Sequence, residues 1–309
     1  MSVLTEIAAA TRAAHAVAAP ATVAIGRHSR GVGVVIAPDR VLTSAHNLRD
    51  RTTEVTFADG RHAQAALVGS DADHDVVVLE VPTDDLTPLT WADASVEPGD
   101  AVFALARTAG GDRITAGTVS GVGRSFRGPR GRRVNGAVEH TAPLAQGSSG
   151  GPLVDAEGRL VGLNTHRLGE GFYLALPADA DLRQRVDALL GGHHLRTRRL
   201  GIVIVPCPRA ARLRRRVGLP EVAGLLIRAV AEGSPAASAG LDEGDLLTAL
   251  DGNPVASVDD LWDALDAAAD RPAVEVTVLR GTEERTVTVA FDVERDETGE
   301  ADDDAPDDA

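Results

Sequence analysis

The run Gln146-Gly147-Ser148-Ser149-Gly150-Gly151-Pro152-Leu153 constrains this chain more than any other stretch. Its glycines leave one serine hydroxyl exposed among backbone N–H groups that can bind an anion. The chain beyond the serine is extended: residues 152–154 and 159–163 read as strands around a turn at 155–158. A nucleophile elbow of the α/β-hydrolase kind needs a helix directly after its serine, and none is signalled here. The chain must therefore present Ser149 on a tight turn between strands of a β-rich fold.

A resting serine hydroxyl is a weak nucleophile, so acyl transfer at Ser149 requires a base within hydrogen-bond reach and a carboxylate to hold that base. Both candidates lie upstream. Residues 32–36 and 41–44 read as a hairpin closed by Ala37-Pro38-Asp39-Arg40, which puts His46 just past a rigid sheet. Asp71, Asp73 and Asp75 precede the β-branched run 76–81, which Pro82 ends. Asp75 stands at the mouth of that strand, where a carboxylate can be buried beneath the imidazole, and is preferred over its two neighbours. The chain order His46, Asp75, Ser149 is the order of chymotrypsin-like enzymes. All 31 basic residues are arginine. This excludes a Ser-Lys dyad, a Schiff-base lysine and a P-loop together, because arginine is not deprotonated in proteins.

Beyond about residue 196 the pattern changes. Ser234-Pro235 through Gly240 carries a serine N-cap, a proline at the first helical position and a terminating glycine. Ser257 to Asp260 resembles a capping box, after which Leu261, Leu265 and Ala268 recur at helical spacing. Residues 224–227, 246–250, 274–279 and 285–289 read as strands, the last two pairing through Arg280-Gly281-Thr282. The pattern is that of a small sheet with two helices.

On these residues the chain resembles the HtrA family, trypsin-like serine proteases with a C-terminal PDZ domain. The matching segments are GVGVVIAPDRVLTSAH (31–46), DVVVLEV (75–81), ITAGTVSGVGR (114–124), QGSSGGPLVDAEGRLVGLNT (146–165) and AGLLIRAVAEGSPAASAGLDEGDLLTALDGNPV (223–255). The resemblance implies a mainly β chain: a chymotrypsin-like double six-stranded β-barrel over 21–195, then a PDZ domain over 196–292. A helical segment over 1–20 and a disordered acidic tail over 293–309 flank them. It implies a serine endopeptidase for unfolded or exposed polypeptide, acting in protein quality control, with His46, Asp75 and Ser149 as its triad. The Gly147 and Ser149 N–H groups would form the oxyanion hole. Leu144 and the strand Leu163-Asn164-Thr165 would line the primary pocket, where Pro143 leaves no acid on the floor and an aliphatic substrate residue fits. Leu200, Gly201 and Ile202 would cup a peptide C-terminus, and the strand after them would pair with an extended peptide. A homo-oligomer, by family a trimer, is implied. The chain departs from the family at Ala104-Leu105-Ala106-Arg107 and at Ser148, where asparagine is usual. Those changes touch the loops that order the oxyanion hole, so the alternative is a catalytically weak or silent peptide-binding chaperone of the same fold.

Composition narrows the rest. Aromatic residues make up 3% of the chain, so valine, leucine and alanine must fill its cores. The net charge is -15, and residues 292–309 hold ten acids against one arginine. That tail reads as solvated. Arginines cluster at 209–216 and 124–133, without the aromatic platform that nucleic-acid binding calls for, so no nucleic acid is expected. The adjacent His193 and His194 lack further ligands, and neither metal nor cofactor is expected. Cys207 is the only cysteine. The N-terminal residues lack a basic n-region and no segment is long enough to span a membrane, which points to the cytoplasm, with the cell envelope as the alternative.

Overall fold

The computed structural model describes residues 2–27, 30–49, 52–108, 111–128, 133–169, 171–195, 198–268 and 271–291. The expected acidic tail and part of the 124–133 arginine cluster lie outside them. The chain divides into two compact units, Met1–Arg196 and Thr197–Ala309.

The first unit opens with helix α1 (Val3–Ala18), capped by Ser2, whose side chain accepts from the Thr5 N–H. Ala14 and Ala18 are fully buried against the sheets of this unit, while Val3, Leu4 and Ile7 stay exposed. The buried Arg107 ties down the helix end: its guanidinium donates to the carbonyls of Ala19 and Thr22 at 2.8 and 2.7 Å and pairs with Asp112. Strands β1 (Thr22–Ile25), β2 (Gly31–Ala37), β3 (Arg40–Thr43), β4 (Thr52–Thr56), β5 (His62–Asp71) and β6 (Val76–Glu80) pair in the order β5-β4-β1-β2-β3-β6. A further β5–β6 pairing closes them into a barrel. The β2–β3 turn is made by Asp39 at φ 58°, a left-handed conformation that a short polar side chain tolerates. The Asp39 carboxylate accepts from the Thr83 N–H at 2.8 Å and locks the turn.

Strands β7 (Ala101–Thr108), β8 (Gly111–Arg127), β9 (Arg133–His140), β10 (Pro152–Val154), β11 (Leu160–Gly169) and β12 (Phe172–Pro177) form a second closed barrel in the order β10-β11-β12-β9-β8-β7. Two six-stranded barrels are what the sequence implied. With few aromatics, their cores are filled by branched aliphatics such as Val34, Val78, Leu79, Leu153 and Leu163. Each is worth about 1.5–3 kcal/mol when fully buried. Helix α2 (Ala180–Leu190) seats Leu182, Val186 and Leu189 in the core, and a short β13 (His194–Leu195) adds in parallel to β5.

The second unit is one sheet of β14 (Ile202–Val205), β15 (Leu225–Val230), β16 (Leu246–Leu250), β18 (Ala273–Arg280) and β19 (Glu283–Ala290), with β17 (Asn253–Pro254) paired to β16. Helices α4 (Pro235–Ser238) and α5 (Val258–Ala267) fall where their caps predict, and α5 has both bonds of the Ser257–Asp260 capping box. A third helix, α3 (Cys207–Arg216), is an addition to the sequence reading. Of the arginines at 209–216, Arg209, Arg212, Arg215 and Arg216 are exposed on it. Arg214 is buried, donating to the carbonyls of Pro220 and Gly281 at 3.1 and 2.9 Å.

Candidate active site

His46 lies in a 3-10 turn, Ala45–Asn47, just after β3. Asp75 enters β6 beside it at φ 59°, a left-handed backbone that costs a non-glycine residue about 1 kcal/mol. The surroundings hold it there: the Ala45 N–H donates to the Asp75 carbonyl at 3.1 Å, and the His46 N–H donates to Oδ1 at 3.0 Å. The His46 ring nitrogen Nδ1 stands 2.9 and 2.7 Å from the two carboxylate oxygens, and the Thr165 hydroxyl donates to Oδ2 at 3.2 Å. A carboxylate accepts only, so Nδ1 carries the proton and Nε2 is left as the acceptor. The hydrogen bond to Asp75 raises the His46 pKa above its ordinary 6.5; partial burial opposes the rise, and the Asp75 charge adds to it.

The neighbouring aspartates do other work. Asp71 accepts from His74 Nδ1 and from Arg185 on α2, both at 2.9 Å. Burial opposes its ionisation, but those donors more than offset it and hold the pKa low. Asp73 is buried. Only Asp75 meets His46.

Ser149 sits on a turn whose glycines Gly147 and Gly150 have φ 83° and 82°. Gly150 has no room for a side chain, since a Cβ there would stand 2.2 Å from the Val32 carbonyl and 2.4 Å from the Thr43 hydroxyl. Both contacts belong to the first barrel, which also grips the Ser149 carbonyl: the Val32 N–H and Asn47 Nδ2 each donate to Ser149 O at 2.9 Å. On the other side β11 fastens the turn. The Gly150 N–H donates to Asn164 O at 2.7 Å, and Asn164 returns bonds to Gly151 O from its backbone and its side chain, at 2.8 and 3.0 Å.

Behind Asn164 stands His140, fully buried, with Nε2 at 3.0 Å from Asn164 Oδ1 and its ring 5.8 Å from that of Tyr173. Burial pushes its pKa down to about 4 against the Asn164 bond, so the imidazole is neutral and Nε2 is the donor. Asn47 and His140 were both missed in the sequence. Asn47 had one signal, its place next to His46. His140 had a weaker one, a polar residue two places beyond Val138 on the inward face of β9.

The Ser149 hydroxyl donates to the Thr165 carbonyl at 3.0 Å, and among the described residues it has no bond to His46. The Gly147 and Ser149 N–H groups have no acceptor among the described residues, which leaves both open to an anion. These atoms surround a cleft of about 880 Å³. Leu144, Asn164 and Thr165 line it with Phe126 and Tyr173, whereas Leu163 is buried in the barrel core, away from the cleft.

In the second unit Gly201 takes φ 78° against Ser234, where a Cβ would stand 2.2 Å from the serine Cβ. Leu200 is buried, and Ile202 begins β14, a strand at the sheet edge with one side unpaired. Among the described residues the Leu200 and Gly201 N–H groups have no acceptor, so a turn next to an open strand edge presents free donors. No group of three or more His, Cys, Asp or Glu among the described residues could hold a metal, and no helix there is long and apolar enough to cross a membrane.

Comparison with known proteins gives matches for both units. The trypsin-like peptidase domain matches residues 31–163 and the PDZ domain matches residues 198–291. A probable periplasmic serine endoprotease, DegP-like, of Halomonas elongata is 32% identical over 293 residues, covering 91% of this chain and 60% of its own length. The serine protease Do-like HtrA of Bacillus subtilis is 28% identical, covering 89% of this chain and 64% of its own. The chain thus spans less than two thirds of these relatives. Among solved structures, the HtrA-type protease AlgW with decapeptide superimposes with a TM-score of 0.68 at 25% identity, over 91% of this chain and 97% of that one. The serine endoprotease from Yersinia pestis gives 0.64 at 27% identity, over 91% and 96%.

Proposed function

The chain belongs to the HtrA-type family, trypsin-like serine proteases with a C-terminal PDZ domain, and from that premise we propose a serine endopeptidase that cuts exposed or unfolded polypeptide through an acyl-enzyme. The observation that carries this reading is the His46–Asp75 pair, with its proton on Nδ1 and its free Nε2 facing the cleft that holds Ser149.

In the first step the Ser149 hydroxyl leaves the Thr165 carbonyl and gives its proton to His46 Nε2 as Oγ bonds to the peptide carbon. Asp75 stabilises the imidazolium that forms. The carbonyl oxygen becomes an oxyanion between the Gly147 and Ser149 N–H groups; such a donor is worth about 3–4 kcal/mol at the transition state. Collapse breaks the C–N bond, and His46 returns the proton to the departing amine. Water then repeats the sequence in reverse roles, releasing the acid and restoring Ser149.

Leu144 supports an aliphatic residue at the scissile position. For the PDZ unit we favour capture of a peptide C-terminus by the free Leu200 and Gly201 amides, with the peptide added as a strand beside Ile202–Val205. The exposed Val3, Leu4 and Ile7 support self-association through α1, as a trimer by family resemblance, which sedimentation tests.

The test of the activity is incubation with casein and with a fluorophosphonate probe, beside Ser149→Ala. The expected result is cleavage and labelling by the wild type alone. Labelling that survives the substitution assigns the nucleophile elsewhere, and neither labelling nor cleavage by the wild type overturns the peptidase.

A further inference from the structure

A substrate side chain must lie against whatever lines the cleft beyond the reacting atoms. The charged lining is one-sided: among the described residues Arg127 and Arg167 stand there, and Asp75 is the sole carboxylate. Asp75 itself makes no contact with an incoming side chain, because it is buried and both its oxygens are committed to His46 and Thr165. On a chain with net charge -15, this cleft is a local cationic exception.

Arg167 is the cation best placed to use it. Its guanidinium lies over the Tyr173 ring at 5.8 Å, and among the described residues it has no acidic partner. A guanidinium stacked on an aromatic face keeps its N–H edge available for a planar, two-point contact with a carboxylate. Arg167 lies two residues along β11 from Thr165, just past a bulge between Asn164 and His166, and the Thr165 carbonyl marks where the Ser149 hydroxyl rests. The pairing of β10 with β11 ends at Leu163, so one edge of β11 is unpaired from Thr165 onward. An extended chain laid along that edge brings its second or third residue level with Arg167.

Resting on the peptidase reading, we infer that Arg167 makes the enzyme selective for polypeptide with an acidic side chain within three residues of the scissile bond. The substrate class is acidic, unfolded chain, with an aliphatic residue at the cut and a Glu or Asp nearby. Arg167 is a specificity residue and takes no part in the bond-breaking steps.

The test uses C-terminally amidated peptides, which present no terminal carboxylate to the PDZ unit, with Leu at the cut and Glu or Gln at the flanking positions in turn. At low salt, kcat/KM for the best Glu peptide should exceed its Gln partner by about three- to five-fold. The gap should shrink in 1 M salt, close in Arg167→Gln and reverse in Arg167→Glu. Equal rates for every Glu and Gln pair, or a preference that survives Arg167→Gln, overturns the inference. Fluorescence anisotropy of the same peptides on the Ser149→Ala protein separates it from the peptidase reading. Binding that prefers Glu through Arg167 where the wild type cleaves nothing sinks the peptidase and keeps the cationic subsite. Binding without that preference sinks the subsite.

Discussion

In the first barrel His46 and Asp75 already meet through ring contacts of 2.7 and 2.9 Å and a backbone bond of 3.0 Å, whereas the Ser149 hydroxyl of the second barrel is bonded to the Thr165 carbonyl at 3.0 Å. The acid–base half of the site is assembled, and the nucleophile half is well anchored but turned aside. The contrast has a physical origin. Asp75 is buried, and a buried carboxylate is costly unless every lone pair is used, so its partners are fixed by folding. A serine hydroxyl on a turn is neutral and rotates at little cost, so its partner can change. On the proposed peptidase reading, a rotation of the Ser149 side chain separates rest from action, while the His46–Asp75 pair stays in place.

Substitutions that remove one half outright should have the largest effect. Ser149→Ala and His46→Ala should each lower kcat about a million-fold, and the double variant should be no worse, because the two act as a unit. Cleavage by the double variant markedly below either single would break that unity. Next comes Asp75→Asn, expected to cost about 10⁴-fold by favouring the wrong tautomer of His46.

Gly150→Ala strikes the other half. A Cβ forced against the Val32 carbonyl must displace the turn, and a shift of about 1 Å in the reacting oxygen costs roughly 100-fold in rate. Its Tm should fall too, whereas the pH dependence of the residual activity should not move. Asn47→Ala, which removes one of two donors to the Ser149 carbonyl, should cost about 1 kcal/mol and three- to ten-fold in kcat/KM, again with an unmoved pH profile.

The pH profile sharpens the comparison with the smallest effect. His46 acts only when neutral, and Asp75 raises its pKa, so activity should rise with pH through a midpoint above 6.5. Asp75→Asn should move that midpoint down. His140 works in the opposite sense: folded, it takes a proton only near pH 4, while the unfolded chain takes it near 6.5. Its share of stability is therefore full above 6.5 and is lost as pH falls through that window. Thermal melts from pH 7 to 4 should show a loss that His140→Gln reduces.

Much of this was legible in the sequence. The hairpin before His46, the strand after Asp75 and the strand–turn–strand after Ser149 are local patterns that periodicity and turn residues record directly. The caps of α4 and α5 were equally plain. Helix α3 was not, because Cys207-Pro208 with arginines after it looks like a charged linker; its hold comes from Arg214 reaching carbonyls at Pro220 and Gly281, which no local pattern encodes. Within the site, residue types and chain order pointed to His46, Asp75 and Ser149, but Asn47 and His140 act across barrel contacts 102 and 24 residues away in the chain. Leu163 was placed in the pocket by its position beside Asn164, yet strand alternation turns it into the core.

The most direct measurement is a pair of high-resolution crystal structures, one of the free protein near pH 7.5 and one of its adduct with a peptide boronic acid. The His46–Asp75 contacts should be the same in both, while the Ser149 hydroxyl should bond Thr165 in the free protein and leave it in the adduct. A free protein with Ser149 already on His46 Nε2, or a His46–Asp75 pair that forms only in the adduct, would contradict this expectation.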